Sequence, residues 1–268
     1  MTTKSGKGVG LLDGLNILVT RPAPQNKALC TAIAAEGGVP LPCPAVEIHL
    51  TPKDDIALKQ LKAADLLIFT SVNAVKGYIH WTQADNILKP GVQIAAIGPQ
   101  TRQALEKSGL YTTITPCSSY NSEALLRNPE LAQKQVQEKR IVIIKGENGR
   151  TLLRDTLATR GALVDYANTY RRNRPNINTI SVNWQHELTC LDLLTATSNE
   201  VLENLLAILD KEYHNTMFKK PLLVLSQRTQ SYARTLGFRS EIIVASDPSN
   251  QTIIETIADW CQSPRPSR

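Results

Sequence analysis

The chain lacks the working parts of several common functions. None of its apolar runs approaches the roughly 18 residues that cross a bilayer, and Met1 to Gly10 has no apolar core of the signal-peptide kind, so a cytoplasmic protein with no membrane contact is expected. Its five cysteines (Cys30, Cys43, Cys117, Cys190 and Cys261) are odd in number, scattered, and without C-x-x-C spacing. That pattern argues against a disulfide framework or a zinc site and reads as reduced thiols. G-x-G-x-x-G after a strand, G-x-x-x-x-G-K-[ST] and G-x-S-x-G are all missing, which removes dinucleotide, P-loop and hydrolase readings. His49, His80, His186 and His214 stand apart from one another and read as structural, so no metal is expected. Aromatics make up only 5% and are not interleaved with basic residues as a single-strand platform requires. The formal charge is +6, but Lys4, Lys7, Arg265 and Arg268 lie in terminal stretches without acids. The remainder is about +2, too small to imply a nucleic-acid partner.

What is present is a soluble-type composition, 42% hydrophobic and 20% charged over 268 residues. The central stretch, Lys139 to Arg150 (KRIVIIKGENGR), joins a β-branched run to a Gly-containing polar turn. An amphipathic segment then stops at Gly161, which reads as buried strand, turn and helix. In open α/β sheets ligands sit at such turns, beyond the carboxyl ends of strands. Lys145 and Arg150 flank this one, and both prefer anions.

The same unit recurs along the chain. Gly14 to Arg21 is a strand, followed by a helix that Gly37-Gly38 stops; Asp65 to Phe69 leads into Thr70-Ser71-Val72-Asn73. Val92 to Ile97 leads into Gly98-Pro99-Gln100-Thr101 and a helix stopped by Gly109; Thr112 to Thr115 precedes a helix near Ser122 to Leu126. Asp54-Asp55 reads as the charged first turn of a helix, not as a catalytic dyad. Further on, Cys190 to Thr195, Leu222 to Leu225 and Glu241 to Ala245 each enter a polar turn and a helix. Ser71 matches Ser198, and Thr101 matches Thr229, at offsets of 127 and 128; Arg21 matches Lys145, and Gly37 matches Gly161, at 124. A weak internal repeat is therefore present.

These matches predict two similar α/β domains, each a doubly wound parallel sheet. One is discontinuous (14–38 plus 174–262) and the other inserted (47–163). Segments 1–13 and 263–268 are expected to be flexible tails. Val39 to Val46 carries proline at 40, 42 and 44, so its missing N–H groups lie along one edge and it can ladder only on the other. Together with 164–173 it is expected to form a two-stranded β-ladder linking the domains, with the ligand ends of both sheets facing one cleft.

The candidate anion-holding residues are Arg21, Ser71, Asn73, Thr101, Lys145, Gly146, Ser198, Arg228 and Thr229. Plain helix capping accounts for any one hydroxyl, but not for polar turns recurring in both halves. Tyr170, flanked by Arg171 and Arg172, is the candidate proton donor; Tyr166, four residues earlier and expected on the same strand face, is its rival. Two functions fit hinge, cleft and turns: an enzyme, or a non-enzymatic two-domain binding protein for a small anionic metabolite.

In order and spacing, Val19-Thr20-Arg21, Phe69-Thr70-Ser71-Val72-Asn73, Ile97-Gly98-Pro99-Gln100-Thr101, Ser122-Glu123-Ala124-Leu125-Leu126, Lys145-Gly146-Glu147-Asn148-Gly149-Arg150 and Tyr170-Arg171 resemble the uroporphyrinogen-III synthase family. The resemblance runs from Ile17 to Ile257. It implies two α/β domains joined by a β-ladder and an active site in the cleft between them. It also implies a cofactor-free lyase reaction in haem biosynthesis. Linear hydroxymethylbilane loses water, inverts its last pyrrole ring through a spiro intermediate and closes as uroporphyrinogen III. Tyr170 matches the family's conserved tyrosine, and a phenol of ordinary pKa, about 10, is protonated and able to donate. A monomer is expected, with transient contact to the preceding pathway enzyme. Ser226-Gln227-Arg228-Thr229 lacks the Gly-Pro that the family often carries in both domains, which weakens the transfer to Arg228 and Thr229.

Overall fold

The computed structural model describes residues 10–83, 87–116, 119–176 and 183–263. In chain order the elements are β1 (Asn16–Val19), α1 (Ala23–Ala35), β2 (Val39–Pro42), β3 (Glu47–Leu50), α2 (Asp55–Ala63), β4 (Leu66–Phe69), α3 (Val72–Thr82), β5 (Gln93–Ala96) and α4 (Pro99–Lys107). There follow α5 (Ser122–Leu126), α6 (Gln133–Val136), β6 (Arg140–Gly146), α7 (Leu152–Thr159), β7 (Leu163–Asn173) and α8 (Trp184–Cys190). The chain continues with β8 (Leu193–Ala196), α9 (Asn199–Ile208), α10 (Lys211–Met217), β9 (Leu222–Val224), α11 (Gln227–Leu236), β10 (Ile242–Val244) and α12 (Asn250–Gln262). Two compact units result: Met1–Glu47 with Asn173–Arg268, and Ile48–Arg172.

The first unit holds a five-stranded sheet in the order β10-β9-β8-β1-β2, paired in parallel throughout. Its three inner strands, β9, β8 and β1, are short apolar runs buried on both faces, as parallel sheets require. Ile17, Val19, Leu29 and Ile33 pack with Ile253, Ile257 and Trp260 from α12. The second unit holds the order β3-β7-β6-β4-β5, with Ile114 adding an isolated bridge beside Ala95. Along β6 the buried residues alternate. Val142 and Ile144 join Phe69, Tyr78 and Trp81 on one face, while Ile141 and Ile143 join Leu125, Leu153 and Leu157 on the other.

The internal repeat has a physical counterpart at the opposite ends of these strands. Asp65 accepts from the Arg140 N–H at 2.8 Å, and Asp192, at the matching place, accepts from the Asn16 N–H at 2.9 Å. Each carboxylate thereby staples the start of its unit's central strand to a neighbour.

The structure corrects two expectations. Val39–Pro42 does not ladder with Val164–Arg172: it pairs in parallel with β1, and the strand beside β7 is Glu47–Leu50. The prolines do confine β2 to one paired edge, but that edge closes its own β1-α1-β2 crossover. In the repeat, β2 is the counterpart of β7, β2 pairing with β1 and β7 with the equivalent strand β6, so their likeness reflects equivalence instead of pairing. The second correction concerns the amino terminus, where Leu12 is wholly buried and its N–H donates to Glu36 O at 2.9 Å. Residues 1–9 and 264–268 of the expected tails, residues 177–182 near the start of the second expected segment of the discontinuous domain, and Cys117 lie outside the described residues.

Candidate active site

The site in the second unit is built where β4, β6 and β7 end. Phe69 is the last buried residue of β4, and the chain then turns through Thr70 and Ser71 into α3. Ser71 Oγ caps that helix by accepting from Ala74 N–H at 3.2 Å. The same oxygen lies 3.1 Å from the Tyr170 hydroxyl. Having accepted one bond, it keeps both a proton to give and a lone pair, so the Tyr–Ser bond can run in either direction.

A bulge sets the position of Tyr170. Ile144 pairs with Ala167 and Lys145 with Asn168, but Gly146 pairs with Tyr170, so Thr169 is an extra residue in β7. Helix α3 rests on that bulge: a Cβ at Gly77 would come within 2.5 Å of Thr169 O and Oγ1. After the bulge Tyr170 turns toward the α3 side and packs with Phe69, Ala74 and Ala167; it is 5% exposed. Tyr166 lies with Leu153 and Leu157 on the other face. The expectation that both tyrosines share a face is therefore wrong, because one inserted residue inverts the alternation. Gly146 completes the arrangement, since a Cβ there would meet the Tyr170 ring at 2.9 Å.

A cavity of about 250 Å³ opens at these strand ends, lined by Ser71, Lys145, Gly146, Tyr166 and Tyr170, with Ser122 contributed by α5. Lys145 is 8% exposed, and burial lowers its pKa from the ordinary lysine value. Its Nζ stands 4.6 Å over the Tyr166 ring, with no carboxylate partner among the described residues. Arg150 differs. It is paired with Glu123, and that bond holds the Glu123 carboxyl below its usual range. Thr101 is buried in the third position of α4, whose cap is Gly98, and Asn73 sits in the first turn of α3.

The first unit presents the repeated turns without a tyrosine. Ser198 caps α9 by accepting from Val201 N–H at 3.3 Å, and Ser226 caps α11 by accepting from Thr229 N–H at 3.1 Å. Thr229 is buried, with its hydroxyl 2.9 Å from Ser226 Oγ; Arg228 is exposed. Arg21 is buried, which lowers its pKa, and donates to Asn250 Oδ1 at 2.9 Å and Pro248 O at 2.6 Å. Two of its donors thus hold the turn before α12, though both acceptors are neutral and leave its charge unanswered.

Sequence reasoning did not single out Ser122, Gly77 or Thr169. Ser122 was signalled only as the start of an expected helix and of the Ser122-Glu123-Ala124-Leu125-Leu126 match, while Gly77 and Thr169 become visible only when α3 and β7 are packed. Among the described residues no group of three or more histidine, cysteine, aspartate or glutamate side chains could hold a metal ion.

Known proteins resemble the chain along nearly its whole length. The family model described as uroporphyrinogen-III synthase HemD matches residues 27–255. Uroporphyrinogen-III synthases of Salmonella typhimurium and Escherichia coli are each 30% identical to it, over 248 and 253 residues, covering 91% of this chain and all of theirs. The fold is shared with crystal structures of the synthases of Thermus thermophilus, a mutant (TM-score 0.60, 17% identity, 93% of this chain and 100% of that one), and Helicobacter pylori (TM-score 0.60, 16% identity, 92% and 99%). With a family model spanning most of its residues and relatives matched over their full length, the chain belongs to the uroporphyrinogen-III synthase family.

Proposed function

We infer that this chain cyclises linear hydroxymethylbilane to uroporphyrinogen III, with loss of water and inversion of the last pyrrole ring, as a lyase of haem biosynthesis. We propose that Tyr170 is the proton donor. The observation that carries this reading is its hydroxyl, 3.1 Å from Ser71 Oγ and at the lining of a cavity that also contains the buried ammonium of Lys145.

The phenol gives its proton to the departing hydroxyl of the first ring, which leaves as water and generates an azafulvene. Ser71 then donates to the phenolate oxygen. The substituted carbon of the last ring attacks the azafulvene to form the spiro intermediate, which opens and recloses with that ring inverted. The proton lost when the ring regains aromaticity returns to Tyr170, so the phenol is restored and only water has left. Catalysis rests mainly on holding a flexible chain in this one geometry.

Binding is assigned to Arg21, Ser71, Asn73, Thr101, Lys145, Gly146, Ser198, Arg228 and Thr229. A substrate with four acetates and four propionates offers carboxylates that polar turns of this kind can hold. Helix-capping hydroxyls and cations with no acid partner suit such a ligand. The 250 Å³ cavity is below the usual size of a site enclosing a drug-sized ligand, so it takes side arms and not the whole bilane. Monomeric action in the cytoplasm, with transient contact to the enzyme that makes the bilane, belongs to the same reading; the substrate's spontaneous closure to the uninverted isomer favours rapid transfer.

The test is to supply fresh hydroxymethylbilane and separate the type I and type III uroporphyrins after oxidation. The wild type is expected to give mainly type III, and Tyr170→Phe to lose at least tenfold in kcat with the fold intact. Type I alone from the wild type would reject the activity; undiminished turnover by Tyr170→Phe would reject the role.

A further inference from the structure

The cavity contains a second phenol that the reaction above does not use. The Tyr166 hydroxyl is buried and has no hydrogen-bond partner. Lys145 Nζ lies 4.6 Å from the centre of its ring and Arg154 Cζ 5.6 Å from it. Cations near an aromatic ring are attracted to its π cloud and immobilise it. The result is a rigid phenol donor beside a desolvated ammonium, with neither group answered by an acceptor among the described residues.

Buried donors without partners are rare in folded proteins, and each one asks what fills the gap. A carboxylate satisfies both groups at once, accepting from the phenol on one oxygen and from the ammonium on the other. Burial moves both groups toward their neutral forms, lowering the Lys145 pKa and raising that of Tyr166, which Arg154 opposes and Asp155 reinforces to a smaller extent. An incoming anion reverses the loss for the lysine and leaves the phenol protonated to donate.

We propose that Tyr166 and Lys145 form a carboxylate subsite, on the face of β6 and β7 opposite Tyr170, that clamps one acetate or propionate arm of the substrate. The inference rests on the reading above for the identity of the ligand, but not for the chemistry of the clamp. Tyr166 is a positioning residue. Its hydroxyl holds an arm, and the bulge at Thr169 places that arm and the proton donor on separate faces of one strand end.

The experiment uses Tyr166→Phe, which keeps the ring beside its cations and removes only the hydroxyl. Turnover of hydroxymethylbilane is measured together with calorimetric binding of the product, uroporphyrinogen III. A lost charge-assisted bond predicts roughly a tenfold rise in the product's Kd and a tenfold fall in kcat/KM, mostly in KM. Thermal stability is expected to hold or rise, because an unpaired buried hydroxyl has been deleted. Lys145→Met and the double variant complete a cycle. If the two groups share one carboxylate, the double variant loses far less affinity than the product of the single losses. Unchanged Kd in Tyr166→Phe, or independent effects in the double variant, overturns the clamp. A wild type that makes only the type I isomer instead defeats the functional reading, and the binding arm still decides the subsite.

Discussion

A side-chain carbon on Gly146 would meet the Tyr170 ring at 2.9 Å, so the final residue of β6 is small because the phenol lies across it. Gly146→Ala must displace that ring, and with it the hydroxyl now 3.1 Å from Ser71. Overpacking of this kind costs about 1–3 kcal/mol. The expected result is a lowered Tm and a fall in kcat of at least tenfold. Combining it with Tyr170→Phe should lower kcat little beyond Tyr170→Phe alone, since both remove the same placed hydroxyl. Multiplicative losses in the double variant would show that Gly146 acts elsewhere.

Ser71 and Ser198 are equivalent caps in the two units, with nearly identical backbone angles, φ −164 and −162°. Each alanine substitution should cost about 1 kcal/mol of stability. Their kinetics should differ. Ser71→Ala deprives Tyr170 of its hydroxyl partner and lowers kcat, whereas Ser198→Ala raises KM. Equal kcat losses in the two variants would contradict the special role of the Ser71 oxygen.

Lys145 gives a pH dependence of definite sign. Its folded pKa lies below the ordinary 10.5. Between the folded and unfolded values the unfolded chain binds more protons, so this group makes stability rise with pH through that window. Below it the buried charge is a standing cost. Lys145→Met is therefore expected to raise Tm at pH 7 while weakening substrate binding, and the stability gain should shrink as pH rises toward about 10.5, the ordinary lysine value, and be gone above it. A gain independent of pH would assign the effect to packing alone.

Asp65 gives a slope of the same sign in an acidic window, but there the ionised group stabilises the fold instead of costing it. The side-chain bond from Lys89 is the main cause of its lowered pKa, reinforced by the Arg140 N–H. Its contribution is present above the unfolded pKa and is lost as pH falls through the folded one. Asp65→Asn should lower Tm at neutral pH, with the difference fading below about pH 3. A difference that persisted at pH 2 would mean that the staple does not depend on charge.

Much of the fold is visible in local chemistry. Gly37 and Gly161 end equivalent helices at φ +82 and +86°, a backbone only glycine adopts freely, and Asp54 caps α2 as its place before Asp55 suggests. The prolines of β2 correctly announce a one-edged strand, but an edge says nothing about which strand covers the other side. That choice comes from the crossover closing on β1. The faces of Tyr166 and Tyr170 were illegible for a related reason. Period-two alternation assumes an unbroken ladder, and the bulge exists only because β6, β7 and α3 pack together. Lys145 announces itself at the end of an apolar strand, whereas the pairing of the neighbouring Arg150 with Glu123 is a contact across 27 residues that the turn's own sequence does not show.

The extra residue at Thr169 makes β7 vulnerable to changes of length. Substitutions along the strand alter one side chain each, and deletion of Thr169 would leave Gly146 paired with Tyr170 and the phenol on its present face. Insertion of one further residue between Thr169 and Tyr170, paired into the ladder opposite Gly146, would instead carry every later side chain to the other face. Tyr170 would then exchange its place beside Ser71 for the face that Tyr166 occupies, and Arg171 would be driven toward the apolar packing under α3. Loss of function in this chain is thus reached by one codon's insertion without altering any catalytic side chain.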